Sequence, residues 1–350
     1  MKAARLHGKE DLRVENVRIP SVGGRELLLK VEAATICALD TRAYVHGDGR
    51  VKLPRILGHE FAGTVEKVGR ELQTRYERGL RVTVNPNMFC GRCEYCVRGR
   101  HELCKYRYAI GVDVDGAFAE YLKIPEEASR CGLIFPLPDT VSYEEGALVE
   151  PLSACLHGQL FAPIKLGDVV TVIGAGPIGI MHVMLAKALG ASKVIACDLL
   201  DSRLTRAKEF GADFTVNSSK ENLVDKVREY TDGHGSDLTI VAVSSPKAQQ
   251  DSLTIAAEEG RVNFFGGLPA GKEVVPLNTN LIHYKEVRVF GTFAQSIEEY
   301  SQALRLITQR RFPLSKLVTH KYDLEEIDKA FKKAMSGEGL KISVKTGEQG

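Results

Sequence analysis

A glycine-rich turn between an apolar strand and an apolar helix restricts the fold of this chain more than any other feature. In "VVTVIGAGPIGI" (169–180), Gly174, Gly176 and Gly179 have the spacing G-x-G-x-x-G. Gly174 permits a tight turn, Gly176 lets a pyrophosphate approach the backbone, and Gly179 lets helix and strand pack closely. The helix N-terminus then faces the anion. A turn without a ligand would also fit these glycines, so the surrounding pattern decides.

The segment around this turn alternates strand and helix. "KVIACD" (193–198) precedes "LLDSRLTRAKEFGA" (199–212), and "DLTIVAV" (237–243) precedes "SPKAQQDSLTIAA" (245–257), with "RVNFFGG" (261–267) after it. This alternation predicts a parallel sheet with helices on both faces, as in the Rossmann-type, doubly wound dinucleotide-binding fold. We therefore predict a nucleotide-binding domain over residues 151–291.

The second predicted strand of this domain ends at an acidic residue, Asp198. A carboxylate in that position accepts hydrogen bonds from both adenosine ribose hydroxyls and repels a 2′-phosphate, which favours NAD over NADP. Arg203 follows on the next helix. Its guanidinium suits either stacking on adenine or contact with a phosphate, and it fits equally well as a solvated helix charge.

The remainder of the chain has a different pattern. Before residue 150, short β-rich runs are separated by Gly and Pro, which predicts a mostly antiparallel, irregular domain. After residue 292 come two helical stretches and the strand "LKISVKT" (340–346), too little to form a core alone. We therefore expect an α/β protein in which residues 1–150 and 292–350 form one domain around the central 151–291.

Bulk properties exclude several classes of function. The chain has 47 basic and 45 acidic side chains among its 350 residues, which argues against a dedicated nucleic-acid surface. No apolar run is long enough to span a bilayer, and the N-terminal segment has no signal-peptide core. The eight cysteines are accordingly expected to be cytoplasmic thiols or metal ligands, and a cytoplasmic location without nucleic-acid or membrane partners is expected.

Four of these cysteines are concentrated in "CGRCEYCVRGRHELC". Cys90, Cys93, Cys96 and Cys104 have the spacing C-x2-C-x2-C-x7-C. Four thiolates this close together suit tetrahedral Zn²⁺. An iron–sulfur cluster is the rival, but the bacterial cluster run has a three-residue third gap followed by proline. A four-ligand site keeps no position open for a substrate, so we predict a structural zinc.

A catalytic zinc requires an open position and therefore a different set of ligands. The candidates are Cys37 in "TICALD", His59 and Glu60 in "LGHEFAG", and Glu150 in "LVEPLSACLHG". Each of them alone also fits an ordinary structural role. The adjacent His-Glu pair flanked by glycines is the more unusual feature, because it places two types of ligand in one turn.

Taken together, these motifs resemble a known family. "GHEFAGTVEKVG" is similar to the zinc signature of the medium-chain dehydrogenase/reductase superfamily, and the cysteine loop, "DGAFAEY" and "GAGPIG" stand in the order typical of it. The resemblance covers essentially the whole chain. It implies a GroES-like catalytic domain built from both chain ends around a Rossmann domain. Glu150 in "VEPLSACLHG" resembles the sorbitol (L-iditol) dehydrogenase branch, since classical alcohol dehydrogenases have cysteine there.

The resemblance implies two zinc ions per chain and NAD. It implies a catalytic Zn²⁺ held by Cys37, His59 and Glu150, with Glu60 as an alternating or outer ligand. Such an ion lowers the pKa of a substrate hydroxyl, and hydride passes to the nicotinamide. The resemblance adds Ile178 and the turn Phe265-Gly266-Gly267 to the expected NAD site. The expected reaction is oxidation of a secondary alcohol, in a polyol, cyclitol or sugar derivative, to a ketone by a homodimer or homotetramer.

Some residues depart from the family pattern. Leu39 and Arg42 stand where relatives usually have the Ser or Thr and the His that pass the alcohol proton outward, which leaves Thr41 or a water chain past Glu60 as substitutes. Ala294-Gln295 replaces the Arg-Tyr that sorbitol dehydrogenases tend to carry for substrate hydroxyls. The pocket is therefore not expected to be that of a sorbitol enzyme.

The sequence leaves two alternative functions open. Threonine dehydrogenases share much of the pattern, although they tend to have Gly-Asn where this chain has Ser153-Ala154. A catalytically silent protein that binds NAD and zinc is the alternative outside enzymes, because the usual hydroxyl relay is missing. Whether the substrate is phosphorylated also stays open, with Arg42, Arg50 and Arg55 in a region suited to an anionic group.

Overall fold

The structure is a computed structural model that describes residues 1–347 of the 350. It divides into two compact units, one formed by Met1–Ser153 with the chain from Gln295 onward, the other by Ala154–Ala294. The sequence predicted these boundaries at 150/151 and 291/292. The last three residues of the predicted segment 292–350 lie outside the described residues.

The elements are numbered in chain order. The strands are β1 (Lys2–Gly8), β2 (Asp11–Asn16), β3 (Leu27–Thr35), β4 (Arg55–Ile56), β5 (Glu60–Val68), β6 (Arg81–Val84), β7 (Asn87–Met88), β8 (Tyr108–Ala109), β9 (Tyr121–Ile124), β10 (Ile134–Pro136), β11 (Val169–Ile173), β12 (Lys193–Asp198), β13 (Phe214–Asn217), β14 (Ser236–Val241), β15 (Ala256–Phe264), β16 (Arg288–Gly291), β17 (Val318–Asp323) and β18 (Lys341–Lys345). The helices are α1 (Ala38–His46), α2 (Glu94–Val97), α3 (Glu126–Arg130), α4 (Tyr143–Ala147), α5 (Val149–Phe161), α6 (Pro177–Ala188), α7 (Asp201–Glu209), α8 (Leu223–Tyr230), α9 (Pro246–Ile255), α10 (Thr279–Lys285), α11 (Ile297–Thr308) and α12 (Ile327–Ser336).

The first unit is built on a mostly antiparallel sheet with the strand order β10-β6-β5-β3-β18-β17, to which β9 adds by pairing with β3. Strands β3 and β5 are antiparallel over their length, and Gly63 allows their close approach because a Cβ there would lie 2.1 Å from the Lys30 carbonyl oxygen. The terminal strand β18 pairs antiparallel with β3. The C-terminal segment thus completes the sheet begun by the N-terminal segment.

The second unit confirms the predicted parallel sheet. Its six strands have the order β13-β12-β11-β14-β15-β16, and every pairing is parallel. Alternate residues of β11 point to opposite faces: Val170 and Val172 pack in one apolar cluster and Ile173 in another. The order reverses between β11 and β14, which makes the carboxyl ends of these strands the place where ligands bind in such sheets.

No helix in the part of the chain that the structure describes is both long and apolar enough to cross a lipid bilayer.

Candidate active site

Three side chains of the first unit converge on one point. Cys37 lies at the N-terminal end of α1, His59 directly precedes β5, and Glu60 is the first residue of that strand. One ligand atom from each lies within 4.8 Å of the other two. His59 is 8% exposed and Glu60 is fully buried. A thiol, an imidazole and a carboxylate are the donor types that zinc accepts in proteins, so this group fits the ion chemically.

Asp40 lies beside His59. Its Oδ1 lies 3.6 Å from Nδ1 of the histidine, and its Oδ2 accepts a hydrogen bond from the backbone N–H of Cys37 at 2.8 Å. Burial lowers the pKa of His59, but the charges of Asp40 and Cys37 outweigh this effect and raise that pKa well above its usual value. A carboxylate behind Nδ1 leaves the other ring nitrogen free for a metal. Sequence analysis missed Asp40, although its place three residues after Cys37 is the spacing of a capping box.

Lys341 and Thr35 hold Glu60. The Nζ of Lys341 lies 2.5 Å from each carboxylate oxygen of Glu60, and the Thr35 hydroxyl donates to Oε2. Lys341 is 3% exposed, and the negative charge of Glu60 raises the pKa of its ammonium group against the opposing effect of burial. Both oxygens of Glu60 are therefore engaged by protein groups. Sequence analysis missed this pair because its members are 281 residues apart.

Glu150 lies in the first turn of α5, and its carboxylate is not part of the group of three. Its Oε1 accepts a hydrogen bond from Nε2 of Gln295 at 3.2 Å. Burial raises the pKa of Glu150; the charge of His59 opposes this rise and that of Glu60 adds to it. The charges of His59 and Glu60 thus affect the pKa of Glu150, although its carboxylate is not one of the three grouped ligands.

The positions that depart from the family pattern have local partners. Leu39 is partly buried and packs on the apolar core of the first unit. The hydroxyl of Thr41 donates to the Ala38 carbonyl oxygen at 3.2 Å, within its own helix. A guanidinium nitrogen of Arg42 lies 4.0 Å from a carboxylate oxygen of Asp48.

The four cysteines of the loop form a second cluster. The Sγ–Sγ separations are 3.5 Å for Cys93–Cys96 and 3.9 Å for both Cys90–Cys96 and Cys93–Cys104. Four Zn–S bonds of about 2.3 Å in a tetrahedron require about 3.8 Å between sulfurs, so the spacing fits the ion. Backbone N–H groups point at the sulfurs; those of Cys96 and Lys105 lower the pKa of the Cys93 thiol to about 6.

In the second unit, a cavity of about 510 Å³ lies at the carboxyl ends of β11 and β12. Gly174, Asp198 and Arg203 line it. The Asp198 carboxylate accepts hydrogen bonds from the backbone N–H groups of Ala175 and Leu199, both at 2.8 Å. The Nη1 of Arg203 lies 3.7 Å from Oδ2 of Asp198. The cavity therefore offers a fixed carboxylate beside a cation.

The three glycines of the turn differ in the space that a side chain would have at each position. A Cβ at Gly179 would lie 1.7 Å from the Gly174 carbonyl oxygen, whereas a Cβ at Gly176 would meet nothing within 4 Å. Gly174 has a φ of +104°. Gly176 caps the twelve-residue helix α6, so open space lies at the N-terminus of a long helix. This is the room that a pyrophosphate needs.

The other expected cofactor residues do not line this cavity. Ile178 lies in the first turn of α6. Phe265, Gly266 and Gly267 follow β15, and the backbone N–H of Gly266 donates to the Val241 carbonyl oxygen at 2.8 Å. The turn is thereby tied to the end of β14.

Comparisons with known proteins agree with this arrangement. The model of the alcohol dehydrogenase GroES-like domain matches residues 23–139, and that of zinc-binding dehydrogenases matches residues 177–309. A sorbitol dehydrogenase of Bacillus subtilis (strain 168) is 33% identical, over 98% of this chain and 97% of its own. An L-threonine 3-dehydrogenase of Pyrococcus abyssi is 34% identical, over 98% and 96%.

A solved zinc-binding dehydrogenase from Sinorhizobium meliloti 1021, bound to NADP, is 33% identical and superposes with a TM-score of 0.91 over 98% of both chains. Both family models match in the predicted order, and full-length relatives exceed 30% identity. The chain belongs to the zinc-containing medium-chain dehydrogenase/reductase superfamily, in its sorbitol dehydrogenase-like polyol branch, and is a zinc-dependent oxidoreductase of the alcohol and polyol class.

Proposed function

We propose that the protein oxidises a secondary alcohol of a polyol, cyclitol or sugar derivative to the ketone, with NAD as hydride acceptor. The observation that carries this proposal is the convergence of Cys37, His59 and Glu60 within 4.8 Å. We assign Cys37, His59 and Glu150 as ligands of a catalytic zinc, with Glu60 as an outer or alternating ligand. When bound, zinc supplies the Lewis acid that lowers the pKa of the substrate hydroxyl, and NAD supplies the hydride acceptor.

The protein groups around the proposed ligands fix their geometry. Asp40 accepts from the Cys37 backbone and faces His59, so one carboxylate orients two ligands. Lys341 and Thr35 keep the Glu60 carboxylate in place. Preorganised groups of this kind cost no rearrangement when charge develops on the substrate oxygen.

The proposal is tested by following NADH absorbance after adding NAD to the zinc-loaded protein with a panel of alcohols. The panel contains sorbitol, xylitol, inositols, galactitol, galactitol phosphate and L-threonine. Turnover of a polyol supports the proposal and shows that proton release proceeds with Leu39 in place of a hydroxyl residue. Turnover of threonine alone moves the enzyme to the amino-alcohol reaction of its 34% identical relative.

If none of the alcohols in the panel is oxidised, a second measurement is required. Titration of NAD into the protein, together with zinc analysis, then decides between an unlisted substrate and a catalytically silent binding protein. Two ions per chain with NAD binding favour an enzyme. One ion per chain indicates that only the cysteine loop holds metal.

We assign Cys90, Cys93, Cys96 and Cys104 to a structural zinc. Cys104→Ser is expected to reduce the zinc content from two ions to one and to lower stability by at least about 3 kcal/mol, or roughly 4 °C in Tm for a chain of this length, because structural zinc contributes directly to folding. Cys131→Ser is the matched control, since this thiol of the same unit donates to the Phe89 carbonyl oxygen instead. A stable Cys104→Ser protein that has lost activity would contradict the structural role.

We assign Gly174, Gly176, Ile178, Gly179, Asp198, Arg203 and the turn Phe265-Gly266-Gly267 to the NAD site. Asp198→Asn is expected to reduce the ratio of kcat/KM for NAD over NADP by about 10- to 100-fold, because hydrogen bonds from the ribose hydroxyls to a charged carboxylate contribute about 1.5–3 kcal/mol. The S. meliloti relative with bound NADP makes this ratio informative. An unchanged ratio would exclude the ribose contact.

We further propose a cytoplasmic enzyme that assembles as a homodimer or homotetramer. The thiol-rich metal loop supports the location. Light scattering of the purified protein measures the assembly.

A further inference from the structure

Gln295 is held in one orientation by its neighbours. The side chain is 1% exposed. Its Nε2 lies 3.2 Å from Oε1 of Glu150 and 3.5 Å from Oδ1 of Asn85. That Asn85 atom accepts a hydrogen bond from the backbone N–H of Asn87 at 3.0 Å, which identifies it as the oxygen. Because two acceptors face one end of the Gln295 amide, that end is the NH₂ group.

This orientation leaves a hydrogen bond unmade. The Oε1 of Gln295 is buried and has no donor within residues 1–347. A buried amide oxygen without a donor has lost its hydrogen bonds to water and gained none, which destabilises the fold. Stability alone would therefore favour an apolar side chain of the same size at this position. The contact that the amide does make, to Glu150, is the feature that a functional requirement would preserve.

The contact engages one oxygen of Glu150 and leaves the other available. Oε1 accepts from Gln295, whereas Oε2 has no hydrogen-bond partner in the part of the chain that the structure describes. A carboxylate with one oxygen held by a hydrogen bond and the other free is the arrangement in which Glu binds a metal through a single oxygen.

We propose that Gln295 is a positioning residue for Glu150: its amide holds Oε1 and thereby presents Oε2 to the zinc ion. This inference rests on the proposed function, because it requires Glu150 to be a metal ligand.

The test measures metal binding rather than turnover. Zinc is titrated against a chelator of known affinity with the full-length protein, and the visible absorption of the cobalt-substituted site reports its ligand geometry. Gln295→Met is expected to weaken binding of one ion by about 10- to 100-fold and to change the cobalt spectrum, as loss of a group that orients a ligand does. The ion of the cysteine loop is expected to stay bound.

A matched control separates positioning from general packing. Gln159 is also a fully buried glutamine whose Oε1 has no donor among the described residues, but it lies in the second unit and donates to His182. Gln159→Met is expected to leave zinc affinity and the cobalt spectrum unchanged. Gln295→Asn is the second test variant if Gln295→Met fails to fold; it keeps a buried amide and retracts it from Glu150 by one methylene.

Glu150→Ala separates failure of the assignment of Glu150 as a zinc ligand from failure of the role of Gln295. If Glu150→Ala binds both zinc ions with wild-type affinity, Glu150 is not a ligand and both the assignment in the proposed function and the role of Gln295 are wrong. If Glu150→Ala weakens one ion but Gln295→Met or, should it not fold, Gln295→Asn keeps wild-type affinity and spectrum, the role of Gln295 alone is overturned. Weakened binding in both supports the inference.

Discussion

His59→Ala is expected to lower kcat for the alcohol substrate by about 10³-fold or more while the protein stays folded. The substitution removes the imidazole that joins Cys37 at the proposed metal site. A metal Lewis acid contributes several kcal/mol of charge stabilisation in the transition state, and each 1.36 kcal/mol corresponds to tenfold in rate. Initial rates with the best substrate of the panel measure the effect, and metal analysis should show one zinc ion per chain instead of two.

One further variant and one control test whether the loss of kcat comes from the metal site. Asp40→Asn keeps the size of the side chain behind His59 but removes its charge, and about a 10- to 100-fold loss of metal affinity is expected. His46→Ala is the matched control, because His46 is an exposed histidine in the last turn of α1. It should leave kcat unchanged. Full activity in His59→Ala would show that the catalytic-zinc assignment is wrong.

The architecture of the second unit could be predicted because its signals are local. The glycine spacing, the β-branched runs and the helical periodicity each lie within about a dozen residues, and the parallel sheet that they predict is confirmed. β13 of the second unit and β17 of the first were not predicted, since "FTVN" is only four residues long and "VTHKYD" carries polar residues at most positions. Their pairing to β12 and β18 is what makes them strands.

At the candidate site, only contacts between residues close in sequence have a signal that sequence analysis can use. His59 and Glu60 are adjacent and Asp40 follows Cys37 by three residues, so those relationships have a local signal. The contacts Lys341–Glu60 and Gln295–Glu150 join residues 281 and 145 positions apart. No spacing rule connects such residues. Tertiary structure alone brings a cation and an amide to these carboxylates.

Lys341→Met is expected to reduce the free energy of unfolding by about 3–5 kcal/mol. Lys341 and Glu60 are 3% and 0% exposed, and removal of the lysine leaves the Glu60 carboxylate buried without its counter-ion. Thr35 then donates the one remaining hydrogen bond to Glu60 from a described side chain. Because the chain has no tryptophan, urea unfolding of the zinc-loaded protein is followed by circular dichroism.

A double variant and an exposed ion pair make this test specific. Lys341→Met combined with Glu60→Gln should recover more than half of the loss, since no unpaired charge is then buried. Lys321→Met removes a lysine that is 64% exposed and paired with Glu144, and it should cost less than about 1 kcal/mol. If Lys341→Met and Lys321→Met destabilise the protein equally, the buried pair contributes no more than a surface pair. The ordering of Glu60 must then come from its contact with Thr35 and from packing in the sheet.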